Sequence, residues 1–338
     1  MTTTQTPLSS ASETLQPPYP YWGGKGEATP LIWKRFGIVQ AYIDPFAGSN
    51  VVALSNPFSG ALRQEILNDH YGFVSNFWRA IKYDYKTTAF YADMPSSHLD
   101  FVASKLFLLD KDEDLKGMLH DDPFFFDAKI AGLWAYIMCT GIDIGTDLAL
   151  SKVTNAIQCI GATKGCSITK SNTYWDASNW KENDEYRLSG ERLHGWFRRL
   201  AERLRFSEIL CKDWSDLYSR SMLGQVKGMP KDVITGIFLD PPYQTDGLKA
   251  SKYKNDSSTI AADVMEKAIE LGENPRNRVI LAGYEKDYEM PDSWQKEIWR
   301  GDGIRLGSTK KADYSRAEAL WYSPHCLQVE QANFFDAF

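Results

Sequence analysis

The residues best suited to chemistry lie in Gly236-Ile-Phe-Leu-Asp-Pro-Pro-Tyr243. Val233, Ile234, Ile237, Phe238 and Leu239 form an apolar β-type run that ends on a carboxylate, two prolines and a phenol ring. A continuous apolar run bounded by Gly and Pro predicts a strand buried on both faces, the habit of parallel sheets. Asp240 then stands at the strand's carboxyl end, where open α/β sheets bind ligands. An ionised Asp only accepts hydrogen bonds. Consecutive prolines fix φ and donate nothing, so their carbonyls stay available as acceptors. Asp240 and the Pro241 carbonyl therefore make a rigid acceptor pair beside the flat face of Tyr243. That set suits a planar group bearing an NH2, such as an adenine or cytosine edge. A plain strand followed by a Pro-Pro turn uses the same letters, so the other motifs decide between the two.

Further strand ends carry the same signature. Ala41-Tyr-Ile-Asp-Pro-Phe-Ala-Gly-Ser-Asn50 reads as a strand breaking at Pro45 into a glycine turn, with a helix beginning in the apolar run Val51 to Leu54. Strand, glycine turn and helix cradle nucleotide-like cofactors on backbone N–H groups. Upstream, Tyr19-Pro-Tyr-Trp-Gly-Gly-Lys25 offers flat rings, close backbone approach and a cation ahead of a helix from Thr29 through Phe36. Glu65-Ile-Leu-Asn-Asp69 reads as a second strand, its carboxylate suited either to ribose hydroxyls or to capping a helix from Tyr71 to Tyr83. Ser207 to Trp214 reads as another strand with Asp213 near its end.

Asp-Pro-Pro-Tyr after a buried strand, Asp-Pro-Phe-Ala-Gly-Ser in the glycine turn, and their order along the chain resemble the DNA adenine methylase (Dam-like) family of the alpha group. The resemblance spans most of residues 19 to 325. It implies a twisted, mostly parallel seven-stranded α/β sheet, S-adenosylmethionine as cofactor, and methyl transfer to adenine N6 in duplex DNA on a base flipped out of the helix. Asp240, Pro241, Pro242 and Tyr243 would be catalytic. Tyr21, Trp22, Gly24, Lys25, Asp44, Phe46, Gly48, Ser49, Asn50, Asp69, Asp213, Trp214 and Asp240 would bind the cofactor, with Asp69 on the ribose, and Asp213 and Trp214 at the adenine. The family pattern Trp-Ala-Gly-Gly-Lys is altered here to Tyr21-Trp-Gly-Gly-Lys25, which leaves open whether Tyr21 or Trp22 meets the cofactor. A cytosine-N4 enzyme would use the same acceptor pair but more often carries Ser in place of Asp240. A ribosomal-RNA adenine methyltransferase is a second rival, against which a long recognition insertion speaks for DNA. A catalytically silent DNA-binding module is a third, and the intact Asp-Pro-Pro-Tyr speaks against silence.

The resemblance implies that the chain divides into a catalytic domain of residues 19–92 and 206–338 and a target-recognition insertion of residues 93–205. Within the insertion, Asp127 to Cys139 reads as a helix, 141 to 190 as polar loop, and Glu191 to Arg205 as an amphipathic helix whose exposed face carries Arg192, Arg198, Arg199, Arg203 and Arg205. A helix over Ala261 to Leu271 and strands over Arg278 to Ala282, Gln295 to Trp299 and Ala317 to Tyr322 complete the pattern. Lys164, Lys170, Arg198, Lys252, Arg305, Lys310 and Lys311 are the DNA-contact candidates, against a simpler role as solvated charge. The net charge of -6 excludes a wholly basic coat but permits a local groove. Five cysteines without CxxC spacing read as reduced thiols with no metal site, and the composition of Met1 to Pro18 as a disordered tail. No run reaches membrane-spanning length, so a soluble protein is expected; the reduced thiols point to the cytoplasm, and the resemblance implies a bacterial or phage-infected cell. Whether a restriction endonuclease accompanies the chain is not encoded in these motifs.

Overall fold

The computed structural model describes residues 15–19, 21, 24–94, 98–140, 189–218, 233–242, 260–300 and 317–328. Seven strands form one mixed sheet: β1 (Ala41–Asp44), β2 (Gln64–Asn68), β3 (Ser207–Leu210), β4 (Thr235–Leu239), β5 (Asn277–Tyr284), β6 (Gln295–Arg300) and β7 (Glu318–Tyr322). Their order is β3-β2-β1-β4-β5-β7-β6, with β7 antiparallel to both neighbours and the remaining pairs parallel. Each strand expected from an apolar run is present, and the fold is the α/β methyltransferase-like class.

Alternation along the strands supplies two cores. Ile237, Leu239, Val279, Leu281, Ala319 and Trp321 face the helix α7 (Ile260–Gly272), which returns Ala261, Val264, Ala268 and Leu271. Phe238, Ile280, Leu320 and Tyr322 point the other way, into a larger cluster with α1 (Thr29–Phe36) and α3 (Gly72–Ala92). Residues Val51–Leu54 make only one helical turn, α2, rather than the start of a longer helix.

The helix expected over Tyr71 to Tyr83 runs on to Ala92, because Asp84 breaks it and restarts it. Asp84 leaves helical geometry (φ -147, ψ 64), and its Oδ1 accepts the Thr87 N–H at 3.1 Å, the capping bond of a new helix start. The three described helices of the segment 93–205 are α4 (His98–Asp121), α5 (Ala128–Thr140) and α6 (Ser189–Arg203). They share the core of α3. Phe77 of α3 sets its ring edge-on to Phe197 of α6 at 5.9 Å and tilted against Trp134 of α5 at 5.8 Å. Gly132 lets α5 approach closely, since a Cβ there would lie 2.5 Å from the Thr88 carbonyl oxygen.

Two expectations change, and one helix is added to those expected. Helix α4 escapes a periodicity search because its buried Phe101, Leu108, Leu115 and Leu119 form a narrow stripe among charged neighbours. Arg203 does not belong to the exposed basic face of α6. Its guanidinium turns inward and meets Glu65 of β2 with two bonds of 2.8 and 2.7 Å. Residues 15–18, assigned to the tail by composition, are held in part by side chains: Trp196 Nε1 donates to the Gln16 carbonyl and Cys139 Sγ to that of Pro18. Among the described residues, no helix is long and apolar enough to cross a membrane.

Candidate active site

Four adjacent parallel strands end in, or just before, a carboxylate on one edge of the sheet. Asp213 follows β3, Asp69 follows β2, Asp44 ends β1 and Asp240 follows β4. The direction of winding reverses between β1 and β4, and such a switch point opens a crevice for ligand. Asp44 and Asp240 stand on its two sides.

The glycine turn after β1 is fixed from several directions. Gly48 has φ +48, and a Cβ on it would lie 2.6 Å from Cε1 of the Tyr21 ring. Its carbonyl accepts from Tyr19 Oη at 3.0 Å and Trp78 Nε1 at 2.9 Å, while its N–H donates to Asp69 Oδ2 at 3.0 Å. Ser49 is buried beside it. Asn50 also adopts a left-handed conformation (φ 56) at 1% exposure, and neither its amide oxygen nor its amide nitrogen has a partner among the described residues. A buried amide left unsatisfied costs about 1–3 kcal/mol, so a ligand atom is the natural complement. Asn50, Asn68, Asp69, Ser75 and Trp78 surround a small gap behind the turn, too tight to admit a water molecule.

Asp44 is 2% exposed, and accepts from Tyr42 Oη at 3.1 Å and from the Phe46 N–H at 3.2 Å. Burial pushes its pKa up to about 8, with Asp240 and Asp69 adding to the rise and both hydrogen bonds opposing it. Asp69 rises to about 6, again through burial, against the N–H groups of Tyr71 and Gly48. Its bond to Tyr71 spans 2.8 Å, although the helix it precedes starts at Gly72. Asp213 is exposed and binds Ser215 through both N–H (3.0 Å) and hydroxyl (2.6 Å), holding the following turn. Trp214 in that turn lies 6.1 Å from the Phe46 ring at 33°.

Lys25 ties the first motif to the last. It is 1% exposed, and its Nζ donates to Asp240 Oδ2 at 2.8 Å, with Glu318 Oε2 at 3.9 Å. Pro241 is buried and Pro242 half-buried, next to this pair. Gly24 is exposed, its N–H bonded to the Tyr21 carbonyl at 3.3 Å. Arg198 is exposed on α6, 3.9 Å from Glu202. Trp22, Tyr243, Lys164, Lys170, Lys252, Arg305, Lys310 and Lys311 lie outside the described residues.

Sequence reasoning passes over Asn68, Trp78 and Glu318. Asn68 closes three strand ends together: its amide donates to the Pro45 and Lys212 carbonyls at 3.0 Å each and accepts the Lys212 N–H at 2.9 Å. An Asn ending an apolar strand next to Asp69 was the available signal. Trp78 and Glu318 give none locally.

Residues 21–121 match the family model of D12 class N6 adenine-specific DNA methyltransferase. The matched span holds Lys25, Asp44, the glycine turn and Asp69, and stops before Asp213 and Asp240. Those two join the matched residues through strand order and through Lys25. A search of curated proteins found no match.

Proposed function

We propose that the chain transfers a methyl group from S-adenosylmethionine to the N6 amino group of adenine in duplex DNA, on a base rotated out of the stack. The observation that carries this reading is the placement of Asp240-Pro241 across the β1/β4 crevice from the turn at Gly48, with Lys25 occupying one carboxylate oxygen. The cofactor fits the residues present. Asn50 has an unpartnered buried amide, the left-handed Gly48 allows close backbone approach, and Phe46 and Trp214 offer flat faces to an adenine ring. Tyr21 or Trp22, Gly24, Ser49, Asp44, Asp69 and Asp213 complete the proposed contacts. When bound, S-adenosylmethionine supplies a methyl group on a sulfonium.

The chain's own work is positioning. Asp240 Oδ1 and the Pro241 carbonyl each accept one amino hydrogen, which turns the nitrogen lone pair out of the ring's conjugation. Positive charge that develops on that nitrogen meets acceptors already in place, and the surplus proton leaves to water. Extruding a base costs a few kcal/mol, of which stacking on Tyr243 returns about 1–3 kcal/mol. Segment 93–205 is the proposed target-recognition part, bringing Lys164, Lys170 and Arg198 toward phosphates.

The test is methylation of duplex DNA by purified protein with labelled cofactor, followed by nucleoside analysis. Label should appear as N6-methyladenine; label on cytosine, or preference for structured RNA in competition, overturns the reading. Asp240→Ala should abolish turnover while cofactor binding by calorimetry persists.

A further inference from the structure

Tyr288 is a buried phenol that the fold does not satisfy. It is 6% exposed, and its hydroxyl has no hydrogen-bond partner among the described residues. A buried Tyr O–H usually finds a partner, and one left without costs about 1–3 kcal/mol. The ring itself is firmly held. The turn after β5 closes with the Asp287 N–H on the Tyr284 carbonyl at 2.9 Å and the Tyr284 N–H on Asp287 Oδ2 at 3.1 Å. That turn brings the Tyr288 ring back onto Gly283, where it fills the place of a side chain, and edge-on to Trp321 of β7 at 5.1 Å. A ring packed in this way is not free to seek a partner elsewhere.

Topology sets this phenol at the edge that carries the acceptor pair. Strands β4 and β5 are parallel neighbours, and the last pair in their register is Leu239 with Leu281. Two residues further along each chain stand Pro241 and Gly283. Leu239, Leu281 and Tyr288 share one core cluster, so the ring lies on their face of the sheet. The hydroxyl keeps its proton, since burial raises its pKa and the charges of Asp287 and Asp240 raise it further. The fold therefore supplies a donor at an edge where Asp240 and the Pro241 carbonyl only accept. Adenine calls for both kinds of group: its amino group donates, while N1 and N7 on either side of it accept.

We propose that the Tyr288 hydroxyl reads the target base, donating a hydrogen bond to a ring nitrogen beside the amino group while Asp240 and Pro241 hold the amino hydrogens. Tyr288 is then a specificity-determining residue, because a base with an N–H at that place sets a donor against a donor. This inference rests on the methyltransferase reading of the preceding subsection.

The test compares the parent with Tyr288→Phe on a duplex that the parent methylates, with the target adenine replaced in turn by its 1-deaza, 7-deaza and 3-deaza analogues. On adenine itself the variant should lose about three- to tenfold in kcat/KM, the worth of one neutral hydrogen bond. The loss should vanish with either the 1-deaza or the 7-deaza base, whichever lacks the contacted nitrogen, and persist with the 3-deaza base. A loss of equal size on all four bases, as general damage to packing would give, overturns the inference. No loss on adenine overturns it as well, as does a loss that vanishes only with the 3-deaza base. Because the hydroxyl has no partner in the fold, ligand-free Tyr288→Phe should melt no lower than the parent; a lower melting temperature, or a variant that does not fold, also overturns it. Failure of the parent to methylate adenine in any duplex overturns the underlying reading and this inference together, whereas an active parent with a loss indifferent to the base overturns only the inference.

Discussion

At the scale of single residues, the site is built from side chains held away from their ordinary states. Gly48 combines a left-handed backbone with a ring where its Cβ would stand. Gly48→Ala should therefore cost about 1–3 kcal/mol in thermal unfolding and weaken cofactor binding in calorimetry, because turn and ring must both shift. Unchanged affinity would show that the turn does not hold the ligand. Asp44 makes a prediction in pH. Its folded pKa is about 8 against an ordinary 3.8, so between those values the folded chain holds a proton that the unfolded chain has released. Stability contributed by this group is present at low pH, falls as pH rises through that window, and levels off above about 8. Asp44→Asn has no such proton to lose. The difference in melting temperature between variant and parent should move in the variant's favour from about pH 4.5 to about pH 8.5. A difference constant with pH would mean that Asp44 stays ionised in the folded state.

Helices and strands set the next scale. The close approach of α5 to the second half of α3 depends on Gly132, whose missing Cβ admits the Thr88 carbonyl and the Tyr91 side chain. Gly132→Ala should lower stability by about 1–3 kcal/mol through overpacking, despite the better helix propensity of Ala. Gly195 in α6 is the contrast, with nothing within 4 Å of an added Cβ. Gly195→Ala should raise stability by up to about 1 kcal/mol. If both variants melted at the same temperature, the packing of α3 on α5 would differ from the one described.

Over the whole molecule, sheet and added helices share one core. Tyr19 illustrates the continuity: its ring meets Trp134 of α5 at 4.7 Å, while its hydroxyl binds Gly48. Calorimetry should accordingly record one unfolding transition, moved as a unit by about 2.7 kcal/mol when cofactor is present at about 100 times its dissociation constant. Two transitions, only one of them moved by ligand, would show that segment 93–205 unfolds on its own.

The strands and the glycine turn were legible in the chain because their code is local. An apolar run ending in Asp, or Gly where φ must be positive, depends on a few neighbouring residues. The stripe of α4 was hidden among charges, and Arg203 read as solvated because its partner Glu65 lies 138 residues away. The ion pair at the centre of the site joins residues 215 apart and was equally hidden. Only the parallel pairing of β1 with β4 and the antiparallel return of β7 bring Lys25, Asp240 and Glu318 together. Their energy comes from a shared dry place, and burial belongs to the assembled sheet rather than to any stretch of the chain.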